Sequence, residues 1–418
     1  MNLTEVEEAM ASGKYGPGIE KCMNILIRIG EAFGAEQMVR IASAHTMPKE
    51  PPDLLNEMTE GTTQTGAFTT LHSLMSAFDP YCWQKMGIPE AFASRELSIY
   101  KERLDVHSRL GFYQTYTCLP MLVGNLPRKG DYVSWIGSGA QLLANSIIGA
   151  RTNRDGTVSN LAAAITGRTP YTGLLLDENR YAEVLVVLDG LDSYQLTHTD
   201  FGAIGYYVGG KAGNRNIVID GLSRELDLDQ IKYLIAPLAA SGAVGICHIV
   251  GLTPEAPDLP QALGHRKPAE IIRVGREEIK QTKALYAEGK SGQVDMAVFG
   301  CPHCTVAELK TMASLLDGKK VGNNQRLWVG MPYQMYYLAQ TMGYTDVIEN
   351  AGGVISSACM AAIPDSPIPS EVKVIATNSF KAAHYIPRLT KGRVRVLIGD
   401  MDVCIDAVTG GEWKGDNP

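Results

Sequence analysis

With 418 residues, 45% of them hydrophobic and 20% charged, the chain is long enough to bury two or three cores and too apolar to be disordered or fibrous. A formal net charge of -7 with no clustered basic surface argues against a nucleic-acid partner and points to a small molecule or another protein. No run of 18 apolar residues offers a membrane span, and the acidic start Met1-Asn2-Leu3-Thr4-Glu5 lacks the pattern of a secretion signal, so a cytoplasmic protein is expected.

Thr4 is placed to cap a helix with an acidic first turn, and apolar spacing predicts a second helix over 18–34. Residues 38–42 read as a strand ending at the polar triplet Ser43-Ala44-His45, and α/β folds hold ligands just past strand ends. A capping serine and a surface histidine are the bland alternative. Thr69 and Thr70, in Phe68-Thr69-Thr70-Leu71-His72, mark another strand end, where paired hydroxyls either meet a hydroxy acid or cap a turn. The mixed charge of 96–109 predicts an exposed helix with a solvated face.

Residues 116–180 are the densest in polar groups. Cys118 opens the stretch in Thr117-Cys118-Leu119-Pro120, followed by Trp135-Ile136-Gly137-Ser138-Gly139, then Asn145, then Gly149-Ala150-Arg151-Thr152-Asn153-Arg154. A buried helical turn over 161–165 ends at Gly167-Arg168-Thr169-Pro170. Polar side chains so placed between apolar runs form either a self-satisfied network or a small-anion site. The arginines favour an anion because a planar guanidinium grips carboxylate or phosphate bidentately, yet arginines also pair with a chain's own acids.

Further on, 181–188 and 217–222 read as strands, 227–241 as a helix and 268–289 as a charged amphipathic helix. The glycine-rich segments 202–210 and 242–251 lack the dinucleotide-binding pattern and read as packing and turn glycines. A strand over 294–299 runs into Gly300-Cys301-Pro302-His303-Cys304. Such a Cys-x-x-Cys fits a redox disulfide, half a zinc site or an iron-sulfur ligand. Zinc would need a second pair, and a redox motif would head a specialised fold. An iron-sulfur role needs distant cysteines on similar loops, which Cys118 and Cys359 supply. The eight cysteines of the chain are too sparse for a secreted disulfide framework. After a strand over 326–330 and a helix over 332–342, a strand over 372–376 opens into Thr377-Asn378-Ser379-Phe380-Lys381. Asn378, Ser379 and the free amides of a helix start form an anion-binding concavity within reach of Lys381; a plain N-cap with a solvated lysine is the alternative. A strand over 393–398 and a short helix over 402–409 complete the chain.

Taken together, Thr117-Cys118-Leu119-Pro120, the 149–154 and 167–170 segments, Ser43-Ala44-His45, the 300–304 loop, Cys359 and the 377–385 segment resemble the large subunit of aconitase X, an iron-sulfur dehydratase of the aconitase superfamily. The resemblance spans nearly the whole of 1–418. It implies an α/β, aconitase-like catalytic core of two or three α/β/α lobes around a central cleft, lacking the swivel domain. It further implies an iron-sulfur cluster (2Fe-2S, 3Fe-4S or 4Fe-4S) held by Cys118, Cys301 and Cys359, with Cys304 a neighbour and Cys22, Cys82, Cys247 and Cys404 structural. Substrate contacts would come from Ser43, His45, Thr69 and Thr70, from Ser138, Asn145, Arg151, Thr152, Asn153, Arg154 and Arg168, and from Asn378, Ser379 and Lys381. Ser43, His45 and Lys381 are the candidate bases, unless a small swivel-domain subunit, forming a heterodimer with this chain, carries the base. The activity implied is water elimination from a small hydroxy acid. Cis-3-hydroxy-L-proline is preferred because no basic run dedicated to phosphate stands out. Mevalonate 5-phosphate and a non-catalytic, anion-binding family member are the alternatives. Two departures from the family pattern bear on substrate: Ile136-Gly137-Ser138-Gly139 replaces an acid and two serines, and Ser357-Ala358 stands before Cys359 in place of Asp-Thr.

Overall fold

Short β-branched runs separated by amphipathic helices build parallel sheets, and fourteen strands of at most five residues occur among the described residues. The computed structural model describes residues 1–74, 78–286, 293–361 and 367–413. The first unit contributes β1 (Met38–Arg40), β2 (Ser43–Thr46), β3 (Phe68–Leu71), β4 (Val133–Trp135) and β5 (Arg168–Pro170). The second contributes β6 (Val184–Leu188), β7 (Ile217–Asp220), β8 (Cys247–Ile249) and β9 (Glu270–Val274). The third contributes β10 (Met296–Phe299), β11 (Arg326–Gly330), β12 (Gly353–Ser356), β13 (Val374–Thr377) and β14 (Arg395–Ile398). The sheets run β3-β2-β4, β8-β7-β6-β9 and β12-β11-β10-β13-β14, all parallel, while β1 and β5 form a separate antiparallel pair. Three parallel sheets with helical crossovers are the α/β lobes that the sequence implies.

Two elements differ from expectation. The triplet Ser43-Ala44-His45 does not follow a strand; it lies within β2, the central strand of its sheet, with Ala44 opposite both Thr69 and Ser134. Pairing on both edges consumes the backbone, and the small Ser43 and Ala44 fit between flanking strands. The helix expected over 268–289 is a strand followed by a helix, because Ile271, Ile272 and Val274 join β6 in register and Gly275 breaks the chain before the helix Arg276–Ala284. Residues 287–289 lie outside the described residues.

The largest core is continuous between the second and third units and also takes in Cys118, Leu119 and Leu142 of the first. A second core fills the other face of the third sheet, and a third sits under the first unit's helices. The glycines of 202–210 fall in the helix His198–Ala212, which packs on the helix Leu228–Ser241 at backbone contact. A Cβ on Gly205 would stand 2.0 Å from the Leu234 carbonyl oxygen, so glycine alone permits that approach. Gly205→Ala is therefore expected to cost about 2–3 kcal/mol in denaturant unfolding, at the upper end for an overpacked core.

Glu50 is buried with Oε2 unpartnered, and burial raises its carboxyl pKa to about 7 in spite of the nearby Arg103. The folded state thus keeps a proton that the unfolded chain has already released above the ordinary carboxyl value of 4.5. This group's contribution falls as pH rises from about 4.5 to about 7 and is flat above that. Glu50→Gln should gain up to about 3 kcal/mol relative to wild type between pH 5 and pH 8, read from urea unfolding at the two pH values.

Candidate active site

The third sheet changes winding direction between β10 and β13, and open parallel sheets bind ligands at the carboxyl ends of strands beside such a reversal. Just beyond β10 comes Cys301, and just beyond β13 come Asn378, Ser379 and, in the first turn of the helix Phe380–Leu389, Lys381. Facing them are the carboxyl ends of the first sheet. Between the two lies a cavity of about 410 Å³ whose lining includes Lys49 after β2, His72 after β3, Ser138 after β4, Cys359 after β12 and Lys381 after β13. Arg154, Asp155, Gln141 and Tyr385 complete its polar wall.

Three of the eight cysteines gather on this side of the cavity. Cys118 and Cys301 are buried and Cys359 is half-buried in the wall. The Lys381 ammonium feels the Cys301, Cys118 and Cys359 thiols together; burial works against its charge, but the thiols keep its pKa above the ordinary lysine value. Burial in turn pushes the Cys301 thiol up to about 12 and the Cys118 thiol up as well, with Lys381 opposing in both cases. Among the described residues, no three His, Cys, Asp or Glu side chains stand at the spacing that a single metal ion needs.

Each cysteine loop is tied by its own hydrogen bonds. The His303 N–H donates to Cys118 Sγ at 3.1 Å, the Ser379 hydroxyl donates to the Cys301 carbonyl, and the Cys359 N–H donates to the Leu74 carbonyl at 2.7 Å. The strand end before Cys359 is gripped by buried Asp79, whose carboxylate accepts from the Ser356 hydroxyl at 3.0 Å, the Ser357 N–H at 2.9 Å, the Tyr81 N–H at 2.9 Å and the Tyr333 hydroxyl.

His72 is buried against the cavity, and burial, with the charges of His45 and Lys381, holds its imidazole far below the ordinary histidine pKa and therefore neutral. Its ring occupies the space over Gly137, where a Cβ would meet Cδ2 and Nε2 at 2.6 Å, and Gly137 has φ +91°. His72, Lys49, Gln141, Asp155, Asp79 and Tyr385 were not singled out from the sequence. Only His72 carried a signal, as a histidine immediately beyond a predicted strand.

Of the residues expected at the site, Ser138, Arg154, Cys359 and Lys381 line the cavity, and Arg154 also donates to the Val244 carbonyl at 3.2 Å. Ser43 and His45 stand one layer behind. Ser43 accepts from the Trp135 indole at 3.1 Å, while His45 pairs through Nδ1 with Thr70 at 2.9 Å and burial lowers its pKa to about 3. Thr70 also accepts from Asn125 at 2.8 Å, and Thr69 donates to the Ala67 carbonyl at 2.9 Å. Asn145 bridges both backbone groups of Thr152 and the Gly245 carbonyl, and the Thr152 hydroxyl accepts from the Trp135 N–H. Asn153 holds Thr172 and Leu174, Arg151 pairs with Asp177 and the Leu175 carbonyl, and Arg168 pairs with Glu7 at 2.9 Å. Asn378 donates to the Tyr233 hydroxyl at 2.7 Å, and Ser379 caps its helix.

Because the Arg168–Glu7 pair is nearly buried and lies outside the cavity lining, Arg168→Ala should lower unfolding stability by about 2–4 kcal/mol, through the stranded carboxylate. Ligand affinity, measured by titration calorimetry on the folded variant, should not change.

Models of the aconitase X first, second and third domains match residues 1–178, 182–284 and 294–410. The phosphomevalonate dehydratase large subunit of Methanocaldococcus jannaschii is 35% identical, over 96% of this chain and 98% of that protein. Cis-3-hydroxy-L-proline dehydratase of Pseudomonas aeruginosa is 30% identical, over 98% of this chain and 70% of that protein. The crystal structure of Thermococcus kodakaraensis aconitase X in its holo-form is similar with a TM-score of 0.83 at 31% identity, covering 98% of this chain and all of that one. Helices long and apolar enough to cross a membrane are absent among the described residues. The chain belongs to the aconitase X family.

Proposed function

We propose that this chain is the catalytic large subunit of a dehydratase, a lyase that removes water from a small hydroxy acid. The observation that carries this reading is a cavity lined by Cys359 and three cations, Lys49, Arg154 and Lys381, with the Cys118 and Cys301 thiols also close enough to act on Lys381. The donor set fits an iron-sulfur cluster held by Cys118, Cys301 and Cys359, since soft thiolates from three loops suit such a group better than a single hard ion. When bound, the cluster supplies Lewis-acid polarisation of a substrate hydroxyl.

The chain's own residues bind and orient. Lys381, held cationic, attracts a carboxylate toward the thiol side. Neutral His72 presents its imidazole to the cavity, where it can hold a substrate hydroxyl by a hydrogen bond. Of the base candidates Ser43, His45 and Lys381, only Lys381 lines the cavity, and a charged ammonium cannot accept a proton. We assign the base to the small swivel-domain subunit, a reading supported by relatives that are themselves named large subunits.

For the substrate we favour a phosphorylated hydroxy acid such as mevalonate 5-phosphate. The sequence favours cis-3-hydroxy-L-proline because it shows no basic cluster dedicated to phosphate, but Lys49, Arg154 and Lys381 reach the cavity from three distant segments. A carboxylate and a phosphate use all three cations. Hydroxyproline remains the second reading on one observation: Asp155, in the same wall and bonded to Ser134 at 3.0 Å, is placed to meet a ring ammonium.

The test is turnover of both compounds by the anaerobically prepared large subunit with its small subunit. Mevalonate 5-phosphate should be dehydrated, and Lys49→Ala with Arg154→Ala should raise its KM by at least about tenfold, as expected for losing charged hydrogen bonds. Activity on cis-3-hydroxy-L-proline alone overturns the substrate assignment. Cys118→Ser should remove the visible iron-sulfur absorption, and a variant that keeps wild-type iron content overturns the cluster.

A further inference from the structure

One residue touches all three cysteine loops. His303 lies between Cys301 and Cys304, its N–H donates to Cys118 Sγ at 3.1 Å, and its ring Nε2 donates to the carbonyl of Ala358, next to Cys359, at 3.1 Å. The carbonyl of the same residue is held from the second unit by Lys232, whose Nζ donates to it at 3.0 Å. Lys232 is wholly buried in the middle of the helix Leu228–Ser241. It pairs with Glu308 and lies 3.4 Å from Asp229.

The pair is fully coordinated. Glu308 also accepts the Tyr233 hydroxyl at 2.7 Å and the Thr305 N–H at 2.8 Å, Tyr233 accepts from Asn378 at 2.7 Å, and the Thr305 hydroxyl donates to Asp229 at 2.9 Å. The network therefore binds one helix of the second unit to both strand-end loops of the third. A buried ion pair costs several kcal/mol of desolvation per ion and is often no more stable than apolar side chains of the same size. Net stability alone does not account for it. The alternative is that it fixes geometry, because a lysine ammonium at this depth can take only a few well-placed acceptors, and one of them is the His303 carbonyl.

We propose that Lys232, with Glu308 as its counter-ion, is a positioning residue that orients the His303 peptide and, through it, the three cysteines. The proposal rests on the reading that those cysteines hold a cluster. It makes Lys232 an outer support whose loss loosens metal retention without touching substrate.

The test compares wild type, Lys232→Met and the neutral pair Lys232→Met with Glu308→Gln after anaerobic reconstitution with iron and sulfide. Both variants should keep the wild-type far-ultraviolet circular dichroism yet retain iron about tenfold more weakly under a chelator, the usual scale for outer-shell supports, with altered visible absorption. A neutral-pair variant that holds iron as tightly as wild type, with the same spectrum, overturns the positioning role. Should the variants fail to fold, hydrogen exchange on iron-free wild type decides: the His303 amide should be protected, and exchange at the rate of an open loop overturns the proposal. A wild type that takes up no iron overturns the cluster reading and this proposal with it, whereas equally tight iron retention by wild type and neutral pair overturns the positioning role alone.

Discussion

Everything at the cavity depends on strand polarity. In a parallel sheet all carboxyl ends face one way, so residues immediately beyond β2, β3 and β4 share one rim and those beyond β10, β12 and β13 share another. Opposing the two rims concentrates Lys49, His72, Ser138, Cys359 and Lys381, which lie up to 332 positions apart between Lys49 and Lys381, around one small volume. The winding reversal between β10 and β13 leaves the gap into which these ends point.

Such a volume would be unstable if its polar groups were left bare. Unpaired buried donors and acceptors cost about 1–3 kcal/mol each, so the loops carry dedicated partners. Asp79 is the clearest of these. The backbone just before Cys359 is held by a carboxylate from a distant loop, which meets both Ser356 and Ser357. Ser357, the serine of the Ser357-Ala358 pair, is thus not idle; its N–H, together with the neighbouring Ser356 hydroxyl, is what Asp79 grips. Ser379 performs a similar service for the Cys301 carbonyl.

Strand ends are legible because short β-branched runs stop at recognisable polar or glycine residues, which places Cys301 and Cys359 on loops and Lys381 in the first turn of a helix. Which of the polar residues in 138–168 would face the cavity was not legible. Asn145, Thr152 and Asn153 have the chemistry of ligands, but each is close enough to a bare backbone group of its own chain to be consumed by it. That choice is made by tertiary geometry, not by residue type. Lys49, Gln141 and Asp155 escaped notice for the converse reason: isolated polar residues in unremarkable contexts become part of a wall only when two sheets are brought face to face. The split of 38–46 into two strands followed from pairing partners more than 20 residues away, which local periodicity does not encode.

The antiparallel pair of β1 with β5, clasped by Arg168 on Glu7, has a consequence for synthesis. The amino-terminal helices cannot be locked in place until position 170 has emerged, because the strand that closes them is made last. During translation the first unit therefore waits, partly assembled, through more than 120 codons between β1 and its partner, an interval in which its apolar helix faces are exposed to the machinery that guards nascent chains.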